Sequence, residues 1–181
     1  MNSNQIKKLQ KINGFTIVEL LIVIIVIAIL AALVISAYTS IQQNARDTKR
    51  RTDIDQLIKA MNFMYVNQGK LPIEINAGYN NTGTGWVNNQ DASYPTSIVN
   101  RLVSEGYLGN GVGDPQTLTG TGSYMHYRCN GASNKYAFFA KLENPQPADN
   151  EGLAWWSSNS CLSTPLQPSY EMNYAKVYTI N

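Results

Sequence analysis

Few side chains in this sequence have the type and placement to do chemistry. The chain holds two cysteines and one histidine, and a single carboxylate, Glu19, stands inside a long apolar run. Cys129 and Cys161 have only each other as partners. In an exported compartment that bond persists, and closing a loop of about 33 residues would contribute on the order of 3.7 kcal/mol. Two buried free thiols are the alternative. Any Ser-His-Asp or Cys-His constellation would have to include His126, which sits between Tyr124 and Tyr127 in a candidate strand and reads as a surface or pairing histidine. No C-x-x-C, H-E-x-x-H or G-x-x-x-x-G-K-[ST] occurs. The segment Glu143–Glu151 offers oxygen ligands but meets no ligand-spacing rule, so it reads as a Pro-rich polar loop. The expectation is a chain with no active site, no metal and no cofactor.

The elements that carry these residues begin with an apolar helix. From Phe15 to Ala37 the only ionisable side chain is Glu19. About 23 helical residues span about 35 Å, enough for a hydrocarbon core of about 30 Å. A carboxylate at the centre of such a core costs on the order of 2.5–3.5 kcal/mol, so Glu19 needs a positive partner. Residues 1–14 carry Lys7, Lys8 and Lys11 and no acid, which suits a cytoplasmic flank. An A-x-A cleavage site is missing, and the apolar run lies downstream of the leader. The helical pattern continues past the apolar run, because neither Pro nor Gly occurs between Phe15 and Asn67. Ile54, Leu57, Ile58, Met61, Met64 and Tyr65 recur at three- and four-residue spacing as one stripe that something must cover. Arg46, Lys49, Arg50 and Arg51 are interleaved with Asp47, Asp53 and Asp55, a mixture that reads as a solvated or headgroup-facing surface. Inter-subunit salt bridges and nucleic-acid contact are the weaker alternatives, and a net charge of +2 supplies no global argument for nucleic acid.

Gly69 and Pro72 stop the helix, and the composition then turns to Gly, Asn, Ser, Thr and Tyr. Asn76–Ala92 reads as a long surface loop carrying Trp86, and Pro95–Glu105 as a short helix. Tyr124–Cys129 and Tyr136–Leu142 read as a hairpin with an Asn130-Gly131 turn, and Tyr174–Ile180 as a further strand. Trp155 and Trp156, if extended, point to opposite faces. Core packing is the better reading for them, and an adhesive surface the other. Asn80-Asn81-Thr82 matches a glycosylation sequon, a pattern too common to carry weight.

A basic leader, then Gly14-Phe15-Thr16-Ile17-Val18-Glu19 and an apolar run, resembles the class III signal of type IV pilins and pseudopilins. The resemblance implies an α+β fold in which a long N-terminal helix, its first half transmembrane and its second half amphipathic, packs on a small antiparallel sheet. It implies cleavage between Gly14 and Phe15 by a prepilin peptidase, N-methylation of Phe15, and an assembly role for Glu19 opposite the Phe15 amine of a neighbour. The matching domains are a leader at 1–14, a transmembrane or filament-core helix at 15–38, its amphipathic outer half at 39–68, and an exported domain at 69–181. Gly106-Tyr107-Leu108 followed by Asp114-Pro115 also resembles the way these proteins enter their sheet, and the Cys129 to Cys161 loop resembles the disulfide-bounded region of many pilins. The implied partners are the peptidase, identical or related subunits in a helical filament, and membrane lipid before assembly. The implied location is the inner membrane, with the C-terminal domain outside, and then an extracellular filament serving adhesion, motility or DNA uptake. A type II secretion pseudopilin is the alternative, and a non-polymerising single-pass adhesin or receptor a more distant one that leaves Glu19 unexplained.

Overall fold

The computed structural model describes residues 14–116, 124–130, 134–161 and 170–180, except for the side chains at 36 and 37. The expected leader before Gly14, and Gly131 of the expected turn, lie outside the described residues. The chain divides into two units, 1–41 and 42–181, and one continuous helix, α1 (Ile17–Gln68), belongs to both. In the first unit α1 is long and apolar enough to cross a membrane. Its apolar side chains are exposed there, from Ile17 at 84% to Ile41 at 63%, as is Phe15 just before it at 92%.

In the second unit the predicted stripe is the core. Ile54, Leu57, Met61 and Met64 are fully buried, and Ala60 nearly so. They share a cluster with alternate residues of a four-stranded antiparallel sheet in the order β1 (Gly85–Trp86), β2 (Met125–Arg128), β3 (Lys135–Ala140), β4 (Tyr174–Thr179). The period of two sorts the strands cleanly. Tyr136, Phe138, Ala140, Tyr174 and Tyr178 belong with the helix stripe, while Met125, Ala137, Phe139 and Ala175 belong to a second cluster with Trp86, Trp156 and the two cysteines. Register pairs Met125 with Phe139 and Phe139 with Ala175, so the second cluster runs straight across three strands. Both faces of the sheet are therefore covered, which is why β3 is apolar at nearly every position.

Three local readings change. The stretch Asn76–Ala92 contains β1, and Trp86 is only 7% exposed rather than carried on a surface loop. Its backbone N–H donates to the Tyr94 hydroxyl at 3.2 Å, holding the short strand in place. The helix expected over Pro95–Glu105 is α2 (Ile98–Ser104), which starts later because the Ser97 hydroxyl accepts the Asn100 N–H at 3.0 Å as its N-cap. The Trp155-Trp156 pair is helical, in α3 (Glu151–Ser158). Trp156 stands edge-on to Phe139 at 5.2 Å, and Trp155 lies under the Lys135 ammonium at 4.6 Å. Gly152 allows this helix its seat, since a Cβ there would fall 1.7 Å from the Ala175 carbonyl oxygen of β4.

Candidate functional site

The junction at Gly14 and Phe15 precedes the first turn of α1. Both residues are exposed, and nothing lies within 4 Å of where a Gly14 side chain would be. Thr16 then caps the helix: its carbonyl accepts the Leu20 N–H at 3.3 Å and its Oγ1 accepts the Glu19 N–H at 3.2 Å. Glu19 reaches back, Oε2 accepting the Thr16 N–H at 2.8 Å and the Thr16 hydroxyl at 2.8 Å. This is a reciprocal capping box, and it satisfies two of the donors that a helix start leaves unpaired. The structure thus gives the Glu19 carboxylate to Thr16 and leaves Phe15 outside the helix. The Thr-x-x-Glu spacing at 16 and 19 was the sequence signal for this role.

The charged turns of α1 that follow form a second arrangement, and here the solvated or headgroup-facing reading is overturned. Asp47, Arg50 and Asp53 are 1%, 2% and 3% exposed. Arg50 donates to Asp114 Oδ2 at 2.7 Å, Asp47 Oδ1 at 2.7 Å, Glu143 Oε1 at 2.8 Å and Gln116 Oε1 at 2.9 Å. Arg46 holds Glu143 with two hydrogen bonds, at 2.7 and 2.6 Å, and Arg51 holds Asp149 the same way at 3.0 and 2.7 Å. Asp47 also accepts the backbone N–H groups of Glu143 at 2.9 Å and Asn144 at 2.7 Å. Asp53 takes the Lys49 ammonium at 2.8 Å, the Tyr124 hydroxyl at 2.9 Å and the Gly113 N–H at 3.2 Å. Burial alone would lower the Arg50 pKa, but its bonds to Asp114, Glu143 and Asp47 outweigh that and hold it above the ordinary arginine value. Arg46, and with it Arg50, holds the Glu143 carboxyl down at about 2 against the opposing effect of partial burial. The four cations of this turn are all engaged by carboxylates of their own chain, so the segment read as a polar loop at 143–151 is in fact where α1 is fastened.

His126 is buried, its ring tilted against that of Phe138 with centroids 4.4 Å apart. Its Nδ1 lies 2.6 Å from the Gly83 carbonyl, which can only accept, so Nδ1 carries the proton and Nε2 accepts the Tyr178 hydroxyl at 2.8 Å. Burial lowers its pKa to about 4, with the Gly83 bond opposing. Neutral and doubly bonded, it serves the core. Cys129 and Cys161 are joined in a disulfide with their Cα atoms 4.1 Å apart, inside the second cluster. Among the described residues no group of three or more His, Cys, Asp or Glu could hold a metal ion.

Comparison with known proteins bears on the first arrangement. The profile of the prokaryotic N-terminal methylation motif matches residues 9–35, which include Gly14, Phe15 and Glu19. A type IV major pilin protein, PilE1 of Neisseria gonorrhoeae, is 33% identical over 132 residues, covering 73% of this chain and 70% of its own length. A second PilE1 sequence from the same organism is 36% identical over 100 residues, covering 55% of this chain and 49% of its own. No solved structure matches.

Proposed function

Because this chain belongs to the type IV pilin family, whose members are structural subunits and not enzymes, we propose that it is cut between Gly14 and Phe15, N-methylated at Phe15, and assembled with identical or related subunits into a surface filament. The observation that carries the reading is the exposure of α1 from Ile17 to Ile41, an apolar surface that the described residues of its own chain leave uncovered. Lipid covers it before assembly, and the helices of neighbouring subunits cover it afterwards. Both relatives are major pilins, which favours a pilus over a secretion rod. Such a filament serves adhesion, motility or DNA uptake.

In this scheme residues 1–14 are a leader removed by a prepilin peptidase on the cytoplasmic side. Residues 15–38 are the membrane and filament-core helix, 39–68 its outer half, and 69–181 the exported domain. Cleavage creates an α-amine on Phe15, and methylation keeps its charge. A neighbour's amine then meets Glu19, removing the cost of an unpaired carboxylate in an apolar core. Intact-mass analysis of the membrane form tests the processing. The expected chain begins at Phe15 and carries one methyl group, and a chain retaining Met1–Gly14 would refute it. The Glu19→Leu variant is expected to insert and be cut but not to assemble. Filaments of normal number and length from that variant would remove Glu19 from the assembly role.

A further inference from the structure

Asparagine followed by glycine is a pair that reacts with itself, because a glycine carries no Cβ to shield its nitrogen from the neighbouring side chain. Three such pairs occur in the sequence, Asn13-Gly14, Asn110-Gly111 and Asn130-Gly131. Asn13 and Gly131 lie outside the described residues, so Asn110-Gly111 is the pair whose two residues the structure places. None of the roles assigned above uses Asn110.

Both residues are exposed, in a turn that precedes the buried stretch Val112–Asp114. Gly111 stands at φ +97°, and nothing lies within 4 Å of where its Cβ would be. The chain is held on either side of this point. Before it, the Leu108 N–H donates to the Leu102 carbonyl at 3.2 Å. After it, the Gly111 carbonyl accepts the Lys49 ammonium at 3.1 Å, the Val112 carbonyl accepts Asn88 Nδ2 at 3.2 Å, and the Gly113 N–H donates to Asp53 at 3.2 Å. Between these holds, the peptide plane made of the Asn110 carbonyl and the Gly111 N–H has no hydrogen bond among the described residues. It turns without breaking one, and solvent reaches it.

That plane is the one that must rotate for the chemistry. The Gly111 nitrogen gives its proton to hydroxide and attacks Asn110 Cγ. An N–Cγ bond forms, the Cγ–Nδ2 bond breaks, and Nδ2 takes a proton from water and leaves as ammonia, which closes a five-membered succinimide. Water then opens the ring. Addition at Cγ gives aspartate, and addition at the main-chain carbonyl gives isoaspartate, with Gly111 joined through Cγ. In isoaspartate the backbone is longer by one carbon, immediately before the residues that meet Lys49, Asp53 and, through Asp114, Arg50. We propose that Asn110 is a self-modifying site in the folded protein, and that its isoaspartate form loosens the hold of Asp114 on Arg50. The site does not depend on the filament reading, because it lies within one chain and needs no assembly.

Timed incubation of the full chain in detergent at mildly alkaline pH, with and without urea, tests it. Every chain used carries Asn13→Gln and Asn130→Gln, which removes the other two pairs. Peptide mass mapping reads conversion at Asn110, and labelling by an isoaspartyl methyltransferase reads the isoaspartate. In the folded chain Asn110 is expected to convert at a rate within a few-fold of that in urea, because its peptide plane is already free. Adding Asn110→Gln is expected to abolish both signals with near-UV circular dichroism unchanged. The isoaspartyl chain, separated by ion exchange, is expected to unfold at a lower urea midpoint than the unconverted chain, and the Asn110→Gln chain to keep its midpoint through the same incubation. An intact Asn110 in the folded chain, conversion only in urea, labelling that persists with Asn110→Gln, or an equal midpoint for the isoaspartyl chain would each overturn the proposal.

Discussion

Replacing Arg50 with methionine should cost the second unit about 3–5 kcal/mol, the range for removing one partner from a buried ion pair. The side chain is 3% exposed and is the cation shared by Asp47, at 1%, and Asp114, at 4%. Methionine fills much of the same volume but leaves both carboxylates charged and buried. Asp47 keeps its bonds from the Glu143 and Asn144 N–H groups, and Asp114 keeps one from Gln116 at 2.9 Å, so the loss is a cation and not all solvation. Glu143 is 19% exposed and retains Arg46, so it adds little to the cost. Lys49→Met is the control. That ammonium is 42% exposed, and Asp53 retains the Tyr124 hydroxyl and the Gly113 N–H, so about 1 kcal/mol is expected. Urea unfolding of the full chain, followed by near-UV circular dichroism, reads both as shifts in midpoint. Adding Asp47→Asn and Asp114→Asn to Arg50→Met should recover part of the loss, because the stranded charges are then gone. If Arg50→Met costs no more than Lys49→Met, the network does not fasten α1 and the reasoning fails.

Three further outcomes are expected. Acid should weaken the domain in two windows. Folding depresses His126 from 6.5 to about 4, so the unfolded chain takes up a proton that the folded one refuses, and about 3 kcal/mol present above pH 6.5 is lost as pH falls toward 4. Folding depresses Glu143 from 4.5 to about 2, so a smaller contribution, screened by solvent and present above pH 4.5, is lost as pH falls through 2. Urea midpoints at stepped pH check both, and a midpoint unchanged from pH 7 to 4 would contradict the histidine assignment. Reducing Cys129–Cys161, 32 residues apart, should lower stability by on the order of 3–4 kcal/mol, and an unshifted midpoint in reductant would refute it. Thr16→Val should remove about 1 kcal/mol of capping, seen as faster amide hydrogen exchange over residues 17–20, and unchanged exchange there would show that the cap does not hold the helix start.

What a reader of the sequence can and cannot see follows from how far apart the interacting residues lie. The stripe from Ile54 to Met64 is legible because the helix repeat places its members on one face, and the strands are legible because Tyr136, Phe138 and Ala140 alternate with Ala137 and Phe139. The fastening of Arg50 is not, since Asp114 and Glu143 lie 64 and 93 residues further on, and the local mixture of signs looks like any solvated turn. Trp86 and Trp156 hide for a related reason. β1 is two residues long and α3 is eight, too short for a period to show, and each is placed by contacts such as Gly152 against Ala175 that only the fold creates. The cap at Thr16 was within reach, because Thr-x-x-Glu is a local pattern. In an apolar run the cost of the Glu19 carboxylate is the stronger local signal, and its bonds to Thr16 the weaker one.

The order of residues along α1 has a physical logic of its own. Between the exposed apolar run ending at Ile41 and the buried stripe beginning at Ile54, the helix is fastened through Arg46, Asp47, Arg50, Arg51 and Asp53 rather than through aliphatic side chains. Apolar fastening there would join the two hydrophobic segments into one, and non-directional burial would let lipid or another helix replace the chain's own loops. Ion pairs with two hydrogen bonds each accept no such substitute: Arg46 needs the Glu143 carboxylate and Arg51 the Asp149 carboxylate at set distances. The polar turn therefore separates, along the helix, an apolar surface left exposed from an apolar stripe held in the core.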